Sequence, residues 1–308
     1  MSDLGKVCEK PNNLPRLPIQ WGLVLCIQLF AVLELLAQES AHLRFAEGEG
    51  EWQGELQTAI TRYQNDSGQT VDLIAAIHIA DSAYFDRLNQ HFETLEVLLF
   101  ELVADVESLS GDVLENESGE VVPGSTLGLV QTLIADYLNL EFQLQGIDYG
   151  ADNFLHADLT ATELEDIMAS RDESFFSMFL NMAQAQMEAE RKAMASNAVK
   201  PSRFTFAALM EALVADNQPE AIKFLVAREL ARSGGLALSP EIESELTILG
   251  ERNRVALEAL AKSLSAGNRS IGLFYGAAHM PGLVREIIQT MGFRQTGKCW
   301  LTAWQLSP

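Results

Sequence analysis

Apolar residues fall into three short, nearly unbroken runs and several longer stretches with helical spacing. The short runs are Val71 to His78 (VDLIAAIH), Val97 to Val103 (VLLFELV) and Ser270 to Gly276 (SIGLFYG). Runs of this length without polar alternation read as strands buried on both faces. Glu55 to Tyr63 alternates as a half-buried strand, and Asp66-Ser67-Gly68 is a turn. Asp81-Ser82 caps a predicted helix running to about Phe92. The order strand, helix, strand over 71–103 predicts a parallel pair joined by a right-handed crossover.

Residues 106–124 are acidic and loop-like, and from about Thr126 to Ser233 the spacing is mostly helical, until Gly234-Gly235 breaks it. Ile134, Leu138 and Phe142 recur every four residues and read as core; Phe175, Phe179 and Met182 form an apolar helical stripe. Ser239-Pro240 opens a helical stretch to Leu264, and another helix runs from about Pro281 to Met291, with Gly292 at its C-cap. Lys298 to Gln305 closes as a strand with Trp300, Thr302 and Trp304 on one face. The predicted fold class is α/β. Its mixed, largely parallel central sheet is built from both ends of the chain, with a large all-helical insertion at about 125–235.

The N-terminus reads as an address. Trp21 to Ala37 (WGLVLCIQLFAVLELLA) is apolar apart from Gln28 and Glu34, and Lys6, Lys10 and Arg16 precede it. It spans roughly 25 Å as a helix, short for a bilayer core. Residues 1–41 are therefore expected to be a cleaved signal peptide or an uncleaved membrane anchor, with an amphipathic helix packed on the domain as the alternative. The chain is then exported, to a periplasm or outside the cell, or held at a membrane, and the domain is 42–308. A lipoprotein is disfavoured because Leu25 precedes Cys26. The third cysteine, Cys299, has no intramolecular partner once a leader carrying Cys8 and Cys26 is gone.

Charge narrows the partners. The net charge is −22. Within the first 37 residues Lys6, Lys10 and Arg16 cancel Asp3, Glu9 and Glu34, so the whole excess lies after residue 37. Such a surface repels phosphate backbones, and nucleic acid is not expected as a partner.

The chemistry is expected at the strand ends. His78 and His279 end or follow apolar strands, and Glu101 sits within one. In open α/β sheets ligands bind outside the carboxyl ends of the strands, so parallel neighbours would bring the three together. A carboxylate in LLFELV needs a cation, a metal or a proton, because burying it alone is costly. Arg252 or Arg254, in the ERNR segment, is the candidate cation. Gly276-Ala277-Ala278-His279 lets a ligand approach the strand end, and the helix starting near Pro281 would favour an anion.

The ordered elements are a His at a strand end, a Glu 23 positions on (101 − 78), an E-R-[ND] helix, and G-x-x-H-x-x-G. Together they resemble the TraB/GumN family, which includes the Tiki proteases, within a fold group that includes erythromycin esterases and a haem-binding lipoprotein. The resemblance covers roughly 53–308. It places the family's site residues on His78, Glu101, Arg252 and His279. It implies a divalent metal (Mn, Co or Zn) on His78, Glu101 and His279, and hydrolysis of a peptide or small-molecule substrate, with Arg252 stabilising an oxyanion. Asp81, Tyr84 and Asp158 are candidates for a general base, and His156 for a structural hydrogen bond. The first motif, Ala75-Ala76-Ile77-His78, has Ala where the family has Gly, which matters only if that position needs positive φ or very close ligand approach. The same residues also fit a metal-free esterase-like hydrolase, or a protein that binds a metal, haem or peptide without turnover.

Overall fold

The computed structural model describes residues 41–50, 52–103, 138, 140–170, 210–212, 214–232 and 247–306. The expected leader, the acidic loop, the Phe175–Met182 stripe, Ile134 and the Gly234-Gly235 break lie outside them.

The protein is α/β, with a mixed seven-stranded sheet that is parallel at its centre. In chain order the strands are β1 (Leu43–Glu47), β2 (Gly54–Gln64), β3 (Thr70–Ala76), β5 (Val97–Phe100), β7 (Phe154–His156), β8 (Ser270–Gly276) and β9 (Arg294–Leu306). A separate two-stranded ribbon joins β4 (Ile79–Ala80) to β6 (Glu141–Phe142). Strand β2 is antiparallel to β1, β3 and β9. β1 pairs with residues 54–58 of β2 and β3 with residues 60–64, so they lie end to end on one edge of β2. From β3 the order continues through β8 and β5 to β7, all parallel. The strands β3 and β5 are thus parallel, as expected, but β8 lies between them.

The apolar runs lack alternation because both faces are covered. Val71, Leu73, Ala75, Leu99, Ile271, Leu273 and Tyr275 belong to one buried cluster. It includes Ala256 and Leu260 of α5 (Thr247–Ser265) and Leu283 and Ile287 of α6 (Met280–Gln289). Ile74, Leu98, Phe100 and Phe274 belong to the other. That layer includes Tyr84, Phe85, Leu88 and Phe92 of α1 (Ser82–Phe92) and Phe224 of α4 (Gln218–Arg232). Two smaller helices are α2 (Gln143–Gly146) and α3 (Ala161–Ser170). Gly272 faces the α1 layer so closely that an added Cβ would lie 2.6 Å from Leu95 and Leu98 side-chain carbons. Helix α6 ends with Gly292 at φ 71, and Phe293 N–H bonds back to the Ile287 carbonyl.

Two expectations are corrected. First, the 125–235 segment is not all helical. Phe142 lies in β6, and β7 adds a strand to the central sheet beside β5. Three residues are too short for a periodic signal, and β7 is held by pairing with β5. Second, Trp300, Thr302 and Trp304 do not share a face. The β9 register slips between Thr302 and Trp304, leaving Ala303 as an extra residue, which flips the alternation. Trp304 therefore joins Leu301 and Leu306 in the core, while Trp300 lies under the Arg44 guanidinium, 4.2 Å from its ring centre. Cys299 is disulfide-bonded in the full chain; the chain's other cysteines, Cys8 and Cys26, lie outside the described residues. Among the described residues no helix is long and apolar enough to cross a membrane.

Candidate functional site

Four parallel strands end on the same side of the sheet. Past β3 comes His78, past β5 Glu101, past β7 Asp158, and past β8 a single 3-10 turn (Ala277–His279) ending at His279. The pairing of Phe100 with Phe274 sets Glu101 against β8, where its own N–H still bonds to the Phe274 carbonyl at 3.0 Å. Arg252 reaches in from the first half of α5.

Glu101 is the centre. Its Oε1 accepts from Arg252 Nη2 at 2.5 Å and lies 3.4 Å from His279 Nε2. Its Oε2 accepts the Gly276 N–H at 2.5 Å. Burial by itself would push this carboxyl up. The charges of His279 and Arg252, the His279 contact and, more weakly, His78 hold it well below the usual carboxylate range. Gly276 has an extended backbone (φ −51, ψ 144), so positive φ does not explain the glycine. Space does: an added Cβ would sit 3.3 Å from Glu101 Oε2 and 3.9 Å from both His279 Cδ2 and His78 Nε2. The exposed His78 thus lies across Gly276 from the buried His279.

Arg252 is shared. Its Nε donates to Asp158 Oδ1 at 2.9 Å and its Nη2 to Asp158 Oδ2 at 2.6 Å, while the same Nη2 reaches Glu101. Burial would lower its pKa, but the charges of Glu101 and Asp158 and the bonds to them raise it. The Asp158 side chain has no solvent exposure. Asp158 thus fixes the guanidinium beside Glu101.

Asn253 sets the His279 tautomer. Its Nδ2 donates to the His279 carbonyl at 3.5 Å, which turns its Oδ1 to His279 Nδ1 at 2.7 Å. Nδ1 therefore carries a hydrogen. The ring's Nε2 then faces a carboxylate oxygen of Glu101, where a proton or a metal ion can sit between them. An Asn carbonyl on the far nitrogen is the support that metal-binding imidazoles use. The pair His279 and Glu101 fits a divalent cation in this respect. His78 is not gathered with them: no group of three His, Cys, Asp or Glu side chains among the described residues stands ready to hold a metal ion.

The other candidates have structural roles. Asp81 occupies the N-cap position of α1 without capping it; its carboxylate takes the Gln305 N–H at 2.5 Å and pairs with Lys223 at 3.3 Å. Tyr84 is buried, donates to the Ala75 carbonyl at 3.2 Å and meets Thr58 Oγ1 at 3.0 Å. Asp158 is an arginine anchor with no route to water. His156 bonds through Nε2 to the Leu102 carbonyl at 2.6 Å, the structural contact expected of it. Arg254 is on the solvated face, paired with Glu251 and Glu258. Ala75 lies within β3, not at positive φ, and its methyl is in the core cluster with Tyr275, so Ala there strains nothing. The role of Asn253 was missed; the only signal was its position beside Arg252.

No protein-family model matches the chain, and no curated protein or solved structure is found to be similar to it.

Proposed function

We propose that this protein is a hydrolase of the TraB/GumN type, acting on a peptide or small-molecule substrate at the Glu101 cluster. The observation that carries the reading is one carboxylate, at the ends of parallel strands, touching Arg252, the Gly276 N–H and the Nε2 edge of His279. Hydrolysis needs a group that takes a proton from water and a fixed positive charge where an oxyanion develops. His279 supplies the first, with Nδ1 held by Asn253 and Nε2 turned to Glu101. Arg252 supplies the second, held by Asp158 so that no reorganisation is needed when charge develops. His78 is exposed to water at the strand end.

In the first form of this reading, His279, Glu101 and His78 hold Mn²⁺, Co²⁺ or Zn²⁺. A bound divalent ion of this kind lowers the pKa of water and polarises a carbonyl. The second form is metal-free, with His279 as the base and Glu101 orienting it. It is favoured by the two oxygens of Glu101 already being engaged, by Arg252 and by Gly276. The test is turnover of a mixed peptide and ester library by the full chain, before and after chelation and metal return. Cleavage lost on chelation and restored by metal supports the first form. Cleavage indifferent to chelator supports the second. No turnover of any substrate, with metal, haem or peptide still bound, contradicts hydrolysis and leaves a binding protein.

A further inference from the structure

We infer that Trp304 is a positioning residue of this site: with the β9 bulge at Ala303 it clamps the turn that carries His78 and so fixes that histidine across Gly276 from His279; the inference rests on the hydrolytic reading above. Past β3 the chain runs through Ile77 and His78 into the short strand β4, and three successive peptide units there are held from outside. The His78 carbonyl accepts the Gln143 N–H at 2.7 Å. The Ile79 carbonyl accepts the Trp304 indole N–H at 2.7 Å. The Asp81 N–H donates to the Ala303 carbonyl at 2.9 Å. Two of the three partners thus belong to the bulge, although Trp304 lies 225 positions beyond Ile79 in the chain.

The bulge is what brings these partners to the turn. Opposite β2, Thr302 pairs with Gln57 and Trp304 with Leu56, with Ala303 left over between them. Without that extra residue the alternation would carry the indole to the face of Thr302, away from Ile79. With it, the indole is buried in the α1 layer, where its N–H needs an acceptor and takes the Ile79 carbonyl. Re-aiming a side chain beside a site is a common use of a bulge. A second set of contacts locks the same place. The Asp81 carboxylate takes the Gln305 N–H at 2.5 Å, and Lys223 of α4 donates to Asp81 at 3.3 Å and to the Gln305 carbonyl at 3.4 Å. Asp81 therefore serves the bulge and not the start of its own helix. The backbone of the exposed His78 is thus fixed, and its Nε2 falls 3.9 Å from the place of a Gly276 Cβ, as His279 Cδ2 does from the other side. Removing the indole N–H leaves the half-buried Ile79 carbonyl without its donor. That peptide unit then turns to find another, and the adjoining His78 turns with it.

The test uses the full chain carrying ¹³C-labelled histidine and glycine, with His78→Ala, His279→Ala and Gly276→Ala identifying the three signals. In the wild type the Gly276 α-protons should show nuclear Overhauser contacts to both imidazole rings. Trp304→Phe keeps an aromatic ring in the core but has no N–H to give. It should lose the contact between Gly276 and His78 and keep the one between Gly276 and His279. Benzothienylalanine in place of Trp304, which keeps the size of the ring system and replaces the N–H by sulfur, should do the same and covers the case in which Trp304→Phe does not fold. A His78 contact that survives in the benzothienylalanine protein, or that is missing from the wild type, overturns the inference. Loss of both contacts in that protein also overturns it, because Trp304 would then support the whole strand end and not His78 in particular. The contacts are read without metal or turnover, so a protein that passes this test yet cleaves nothing would refute the hydrolytic reading alone.

Discussion

Replacing Glu101 by Gln tests the electrostatic core of the site, because the two side chains differ only in what their second oxygen position offers. Both oxygens of Glu101 face obligatory donors, Arg252 Nη2 on one and the Gly276 N–H on the other. Gln has a single oxygen, so whichever way the amide turns, its NH₂ group meets a donor. One charge-assisted bond is lost, about 1.5–3 kcal/mol, and one donor with little access to water is stranded, about 1–3 kcal/mol. Asp158 still pairs with Arg252, so the total stays near the low end of a broken buried ion pair, about 3 kcal/mol. Urea unfolding at neutral pH should show that loss. The sign with pH follows from the depressed Glu101 pKa. Its stabilisation is complete above the unfolded value of 4.5 and is lost as pH falls through the lower folded value. Gln does not titrate, so the gap between wild type and Glu101→Gln should close on acidification below that range. A gap under about 1 kcal/mol at neutral pH, or one that widens with acid, would refute the argument that Glu101 is an ionised hub.

Other outcomes follow from neighbouring contacts. Asn253→Leu should leave the fold intact but free the His279 ring, lowering turnover or metal affinity by about 10- to 100-fold, measured by steady-state kinetics or calorimetry. Gly276→Ala, with no positive φ to oppose it, should change unfolding free energy by less than about 1 kcal/mol while its methyl crowds Glu101 and weakens ligand binding. Gly272→Ala should instead destabilise by about 1–3 kcal/mol in denaturant melts, since its Cβ meets Leu95 and Leu98. At the other end of β3, buried Asp72 accepts from Arg62 twice at 2.7 Å and meets His91 at 3.0 Å. Burial opposes ionisation there, but these partners hold its pKa below 3.8, so its stabilisation is present above that value and lost on acidification below it. Asp72→Asn should cost about 2 kcal/mol at neutral pH, discounted for the half-exposed Arg62, and remove that acid sensitivity.

The central sheet was legible because burial on both faces removes alternation, which is why VDLIAAI, VLLF and SIGLFYG stood out and why His78, Glu101 and His279 could be placed at strand ends. What lay beyond reach has local physical causes. Strand β7 is three residues long and depends on its pairing with β5, so nothing local marks Asp158, two residues beyond it, as the anchor of Arg252 rather than a candidate base. The slip at Ala303 reverses the face of Trp304, and no composition signal marks it. Asp81-Ser82 marked the start of α1 correctly, yet the Asp81 carboxylate turns to Gln305 and Lys223, partners remote in sequence. In ERNR, Arg252 and Asn253 differ from Arg254 only by helical phase. The inward face of α5 takes the first two, and the solvated face takes the third.

In the metal-assisted form of the proposed reading, His78, Glu101 and His279 hold one divalent ion. Calorimetric titration of the full chain with Mn²⁺, Co²⁺ and Zn²⁺, beside a His78→Ala/His279→Ala double variant, tests it most directly. That form predicts one equivalent bound by the wild type and none by the folded double variant. Equal binding by both, or none by either, would contradict it.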